Sequence, residues 1–352
     1  MLTEQYKDLV YFSGWLRSYY PGLYKELVDI LDSNQVKHGV LPLTEDYWCR
    51  DYMPIQWGHE RGSQYIYNPD YLKDLPQYLT DADKVMKSLK TLPMRVEKYP
   101  IVVDGGNMVF CEGSTSSRDC KKHYVVMTDK VMLENPGYTR SEIESVIKES
   151  FHCKDLEIVW LPWNHSDMCG HTDGILRYVG INDSGIPIVL VNLSLYEKDH
   201  AVQMCTVLKD KFEVVNLELS EYTGLSWAYI NCLQTRDVII VPGIGNPKTD
   251  REALEQIKRL YPQYGDKVYQ VQMKSFIKRG GGALNCCTWT VSEDMSDVVH
   301  NGENDKRYAE LVMKARKSED LITKEDRLFL GDYYPLRLKK ISRQLDKWYY
   351  GY

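Results

Sequence analysis

Ile101-Val102-Val103-Asp104-Gly105-Gly106-Asn107-Met108-Val109-Phe110 reads as a strand, a polar glycine corner and a second strand. The β-branched and apolar residues suit a pleated, half-buried surface, and the paired glycines let the chain turn between them. The same arrangement returns downstream. Residues 123–127 predict a strand, 139–148 a helix with Ile143, Val146 and Ile147 on one face, and 156–160 a strand. Residues 174–179 and 186–191 predict two strands across the turn Asn182-Asp183-Ser184-Gly185, followed by a helix over 198–208 and a strand over 212–217. Residues 227–233 and 238–241 predict another pair joined by 234–237, then a helix over 249–260 and a strand over 268–271. Upstream, Leu23, Leu27, Ile30 and Leu31 recur at helical spacing after Pro21-Gly22 and predict a helix over 22–32, and 80–89 reads as a short helix. A polar-headed hairpin, a helix and a further strand therefore repeat as a ββαβ-like module. Modules with outward helices and convergent strand heads predict one α/β domain around a central site.

The 352 residues can bury a large core, and 43% hydrophobic with 27% charged residues describes a folded chain, not a disordered one. The net charge of -6 and the lack of long basic blocks, apart from 337–343, speak against nucleic-acid binding. Nine cysteines, an odd number at no disulfide-module spacing, point to a reducing compartment. Glu4, Lys7 and Asp8 interrupt any apolar run in the first ten residues, and no stretch reaches transmembrane length. A cytoplasmic protein without membrane contact is expected. After residue 291 the character changes. Residues 292–305 are polar, 306–315 read as a short helix, 336–352 form a basic and aromatic end, and within it 335–343 read as a partly amphipathic helix led by Pro335. The expected organisation is a domain over 1–291 with a C-terminal extension, 292–352, packed on it.

Residues 278–291 carry three glycines and then strand-favouring residues around Cys286 and Cys287. Residues 163–174 hold two of the eight histidines, His165 and His171; if 169–173 is extended, Cys169, His171 and Asp173 point one way. That pattern suits a metal cluster or an acid-base histidine, but no CxxC, HExxH or second histidine pair supplies further ligands, so no metal or cofactor is expected. Arg50-Asp51 beside Trp48 forms either a loop salt bridge or a carboxylate and aromatic wall for a cation. Cysteine, histidine and carboxylates suggest covalent catalysis at an electrophilic carbon. The surplus of carboxylates, Asp51, Asp104 and Asp173, favours a planar cation held by charge-assisted bidentate bonds, and a guanidinium meets that description.

Trp48-Cys49-Arg50-Asp51, Asp104-Gly105-Gly106-Asn107, His171-Thr172-Asp173, Tyr229-Ile230-Asn231 before Val238-Ile239-Ile240-Val241-Pro242, and Gly280-Gly281-Gly282-Ala283-Leu284-Asn285-Cys286 occur in that order. Over residues 40–291 this resembles the bacterial peptidylarginine deiminase and agmatine deiminase family of the guanidino-modifying superfamily. The resemblance implies a five-bladed α/β propeller, the pentein fold. By position it implies Cys286 as nucleophile, His171 as general acid and later base, Asp51 and Asp173 as guanidinium clamps, Trp48 as a hydrophobic wall and Asn231 as a polar pocket residue. Asp104 corresponds to the acidic residue before the paired glycines. The rival thiol, Cys287, falls one residue outside the family register. The implied reaction converts a guanidino group to a ureido group plus ammonia without a cofactor.

Three departures bear on substrate. Asn285 stands where the family often has His, Tyr52-Met53-Pro54 follows Asp51, and Pro69-Asp70 follows Tyr67-Asn68 where the peptidylarginine branch has arginines. They favour agmatine or another small guanidino compound over an arginyl peptide. An amidinotransferase, a cysteine amide hydrolase and an inactive guanidino-binding protein are the alternatives. Self-association into a homo-oligomer stays open.

Overall fold

The computed structural model describes residues 2–293 except 59, 90, 91, 93 and 115–120, and beyond 293 only 311, 314, 323 and 326. The chain divides into two units, Met1–Glu293 and Asp294–Tyr352. Of the short helix expected over 306–315, Leu311 and Lys314 are described and helical. The end over 336–352 and the packing of the extension lie outside the described residues.

The first unit opens with β1 (Leu9–Ser13), α1 (Gly14–Tyr19), α2 (Pro21–Ser33) and β2 (Lys37–Leu41). A single turn of helix, α3 (Cys49–Tyr52), leads to β3 (Ile55–Gly58), β4 (Arg61–Ile66), α4 (Ala82–Ser88) and β5 (Arg95–Val102). Then come β6 (Val109–Ser114), β7 (Lys121–Thr128), α5 (Lys130–Glu134), α6 (Arg140–Ser150) and β8 (Glu157–Leu161). The next module is β9 (Leu176–Ile181), β10 (Pro187–Val191), α7 (Lys198–Lys209) and β11 (Glu213–Asn216), and the following one β12 (Leu233–Gln234), β13 (Ile239–Gly243), α8 (Pro247–Leu260) and β14 (Val268–Gln272). α9 (Lys274–Gly280) and β15 (Thr288–Val291) complete the unit.

Five three-stranded sheets result, all with one plan. β4, β7, β10 and β13 each take an antiparallel partner from the strand before and a parallel partner from the strand after the helix. A crossover is the connection that a parallel pair requires, and the helix supplies it. The fifth sheet is assembled from both ends of the unit: β1 runs parallel to β2 and antiparallel to β15, with Leu9 opposite both Lys37 and Val291. This is the five-module pentein architecture.

Four of the five crossover helices bury a stripe four residues apart: Leu27 and Leu31 on α2, Ile143 and Ile147 on α6, Met204 and Leu208 on α7, Ala253 and Ile257 on α8; the short α4 buries Ala82 and Val85. The i, i+4 spacing puts each pair on one face of its helix, against the apolar central strands. Among the described residues no helix is long and apolar enough to cross a membrane.

Two expectations are corrected. Residues 227–233 are not a strand: Ser226–Tyr229 is a 3-10 turn, and only Leu233–Gln234 pairs with β13. The apolar composition of Ala228, Tyr229 and Ile230 reflects burial in and beside a turn, where short apolar runs look strand-like. Likewise, the chain enters the cysteine segment through α9, turns left-handed at Gly281, and does not become a strand until Thr288. Cys286 and Cys287 therefore lie in a turn.

Candidate active site

The first strand of every sheet, β3, β6, β9, β12 or β15, is preceded by a short turn, and every residue singled out for chemistry sits in or beside one of these turns. Asp51 lies in α3 ahead of β3, and Asp104 caps the 3-10 turn Gly105–Asn107 ahead of β6. His171 and Asp173 flank the start of the turn Thr172–Gly174 ahead of β9; Asn231 precedes β12 and Cys286 precedes β15. Repetition of one module thus delivers one polar head per sheet to a common centre. There a cleft of about 1150 Å³ opens, with Trp48, Asp51, His171, Asp173 and Cys286 among its walls.

His171 is held from both sides. Its Nε2 lies 3.0 Å from Asp104 Oδ2, and its Nδ1 3.5 Å from Asp51 Oδ1. Burial alone would lower its pKa; the charge of Asp51 and the hydrogen bond to Asp104 outweigh it and hold the imidazole protonated well above the ordinary range. Tyr71 Oη donates to the same Asp104 oxygen at 2.8 Å. Asp51 Oδ1 accepts the Gly106 N–H at 2.9 Å. Burial pushes the Asp51 carboxyl up to about 8, with Asp104 and Asp173 adding to it and His171 opposing. Gly106 must be glycine for the group to assemble, since a Cβ there would stand 2.6 Å from Asp51 Oδ1 and 2.8 Å from His171 Nδ1.

The thiol lines the same cleft. Cys286 Sγ lies 3.6 Å from Asp173 Oδ2 and 3.4 Å from Asn231 Oδ1, and its backbone N–H donates to the same Asn231 oxygen at 3.2 Å. Burial, and next the charges of Asp173 and Asp51, push the thiol well above its ordinary range. Asn285 Nδ2 donates to Asp173 Oδ2 at 2.7 Å. Cys287 turns into the core, its Sγ toward the Leu284 carbonyl at 3.6 Å. The wall is Trp48, over which residues 280–282 lie so closely that a Cβ at Gly280 would meet its ring at 2.6 Å and one at Gly282 would overlap it.

All seven expected residues thus gather at one centre. Cys169, His171 and Asp173 all line the cleft, although Asp173 belongs to a 3-10 turn and not to an extended run. Among the described residues no cluster of His, Cys, Asp and Glu is arranged to hold a metal. Arg50 is not the partner of Asp51; it pairs with Glu4 at 3.1 Å. Asp70 pairs with the buried Lys130 at 2.7 Å, so its charge does not serve the cleft. Sequence reading missed Asp46, which also opens on the cleft, accepts the Trp48 N–H at 2.8 Å and has its carboxyl pushed up to about 7 by burial. It also missed Tyr71, and no spacing in the sequence connects either residue to the cleft.

Both the sequence and the architecture recur in known proteins. A Photobacterium profundum protein assigned as an agmatine deiminase is 25% identical over 284 residues, 70% of this chain and 74% of that one. The solved C. jejuni agmatine deiminase shares the fold with a TM-score of 0.61 at 16% identity, over 83% of this chain and 95% of that one. The agmatine deiminase of Enterococcus faecalis does so with a TM-score of 0.60 at 17% identity, over 82% and 95%. The profile of Porphyromonas-type peptidyl-arginine deiminases matches residues 31–291, from the last turn of α2 to the end of β15. The chain belongs to the Porphyromonas-type peptidyl-arginine deiminase family.

Proposed function

We propose that the protein is a cysteine-dependent deiminase that hydrolyses a guanidino group to a ureido group and ammonia, with agmatine or another small free guanidino compound as substrate. The observation that carries the reading is that Cys286, against Asp173, and His171, against Asp51, line one cleft. A guanidinium carbon is a poor electrophile, so the site has to fix its nitrogens and its charge while the sulfur attacks. Asp51 and Asp173 clamp the nitrogens by charge-assisted hydrogen bonds, and Trp48 closes one side.

The order of proton movements follows from the pKa directions. In the empty cleft the thiol keeps its proton because it is buried and because Asp173 and Asp51 lie near it. A bound guanidinium reverses that local charge, so the thiol releases its proton to solvent and the resulting thiolate attacks the central carbon. His171, already protonated, gives its proton to the departing ammonia and leaves a covalent S-alkylthiouronium on Cys286. The now neutral imidazole takes a proton from water, the hydroxide adds to the same carbon, and collapse releases the thiol and the ureido product. Asp104 holds His171 in place.

The acidic groups opening on the cleft, Asp46 and Asp167 besides the clamps, suit a second cationic end such as an amine tail. The breadth of the cleft supports an arginyl peptide as the second reading. The test is ammonia release from agmatine, free arginine and peptides with internal or C-terminal arginine, with mass spectrometry of the products. A gain of about 1 Da, from replacement of =NH by =O, identifies the substrate. Consumption of an amine acceptor without matching ammonia would instead indicate an amidinotransferase. Cys286→Ala abolishes turnover, whereas Cys287→Ala keeps it and costs about 1 kcal/mol of stability; full activity in the first variant removes the mechanism.

A further inference from the structure

Asp173 lines the cleft and also a second, enclosed cavity of about 40 Å³ walled by Leu2, Glu4, Arg50, Arg177 and Asn285. The N-terminal residues thus reach the back of the candidate active site. Glu4 takes the guanidinium of Arg50 in a fork, Nη1 to Oε1 at 3.1 Å and Nη2 to Oε2 at 3.3 Å, and accepts the Thr290 hydroxyl at 2.6 Å. Arg50 passes the contact on. Its Nη2 donates to Asn285 Oδ1 at 3.3 Å, its Nε to the Asn285 carbonyl at 3.4 Å, and its backbone N–H to the Cys286 carbonyl at 3.1 Å.

The amide of Asn285 then has one allowed orientation. Its oxygen faces the Arg50 guanidinium and its NH2 faces Asp173 Oδ2 at 2.7 Å. A flipped amide would set oxygen against carboxylate and NH2 against guanidinium, both repulsive. Arg177, buried on the same cavity, forms no ion pair among the described residues, and its Nε–H has no acceptor there. With two guanidiniums behind it, an unrestrained Asp173 would be drawn into the enclosed cavity and away from the cleft.

We propose that Glu4 and Arg50 are positioning residues which, through the oriented amide of Asn285, keep the Asp173 carboxylate aimed at the substrate guanidinium. The inference rests on the guanidino-binding reading of the cleft. It gives Asn285, a departure from the family's usual His, a function of its own. The N-terminal segment becomes a working part of the site, although it lies outside the matched span 31–291.

The test uses two alkylating probes of Cys286 on the full-length protein at pH 8, cationic 2-chloroacetamidine and neutral iodoacetamide, with rates read by mass spectrometry of the peptide that carries the thiol. Their ratio reports the cation clamp independently of turnover. In the unaltered protein the amidine is strongly preferred. Glu4→Gln and Asn285→Ala each lower the amidine-to-iodoacetamide ratio, by about tenfold to a hundredfold for a carboxylate displaced by about 1 Å; Glu4→Asp, which keeps the charge, recovers part of it. An unchanged ratio in both, or an equal fall in both rates, overturns the relay and leaves a structural role only. If Glu4→Gln fails to fold, Asn285→Ala, with the Glu4–Arg50 pair intact, decides alone. A wild-type protein with no preference for the amidine is a different result and overturns the guanidino-binding reading itself.

Discussion

A thiol ringed by carboxylates is a poor nucleophile until something positive arrives, and Cys286 is in that position. In the ligand-free protein at pH 7 it is expected to react with iodoacetamide far more slowly than an exposed cysteine, and adding a non-reactive guanidinium ion should accelerate the labelling; a fast, ligand-independent reaction would contradict the charge argument. Asp51 carries the pH dependence. Its carboxyl sits at about 8 in the fold, against roughly 3.9 in an unfolded chain. The folded state therefore holds this proton more tightly, and the associated stability is complete below about pH 4 and lost as pH rises through about 8. The same ionisation favours a bound cation. Affinity for a guanidinium should thus rise toward pH 8 while the melting temperature of the empty protein falls, and Asp51→Asn should remove the part of both profiles near pH 8, leave that of Asp46 near pH 7, and abolish turnover. Calorimetric titration and thermal melts over pH 5–9 read both. Gly106→Ala puts a methyl group between Asp51 and His171, and about a hundredfold loss of kcat is expected with the fold intact by circular dichroism.

The elements divide by how local their signal is. α6 is fully written in its own residues: Thr139 and Glu142 form a capping box, and Ile143 and Ile147 supply the buried stripe. Thr139→Ala should cost about 1 kcal/mol in denaturant unfolding, and an unchanged midpoint would mean the cap contributes nothing. The three central modules, from β6 to β14, were legible in the same way apart from β12, because strand, turn and helix signals stand side by side there. In the first module and the fifth sheet only the helices α2 and α4 were. Residues 9–13 form an uninterrupted buried run without alternation, and 61–66, Arg-Gly-Ser-Gln-Tyr-Ile, is polar for a strand; both are fixed by partners remote in sequence. Tertiary context overrides local propensity at such positions. The site behaved likewise. Its motif residues could be read because each lies at a polar turn ahead of a first strand, whereas Tyr71, Asp46 and Glu4 reach the centre through contacts no periodicity encodes.

For the molecule, the decisive joint is the fifth sheet, where β1 is gripped between β2 and β15. Val10→Pro removes an N–H from the strand that is paired on both sides, and each backbone partner left unsatisfied costs about 1–3 kcal/mol. Hydrogen exchange should then show protection lost in β15 and β2 as well as β1, and Cys286 should become open to iodoacetamide; loss confined to β1 would mean that the sheet does not hold the ring together. The same joint sets an order of events during synthesis. β1 leaves the ribosome with one edge bare, and the strand that covers it, ending at Val291, follows after a delay on the order of tens of seconds at the usual rate of translation. Until then the nascent chain carries an open strand edge. The segment bearing Cys286 emerges immediately before that closing strand, so a half-made copy holds the carboxylates without the thiol, and the cell makes the bait before it arms the trap.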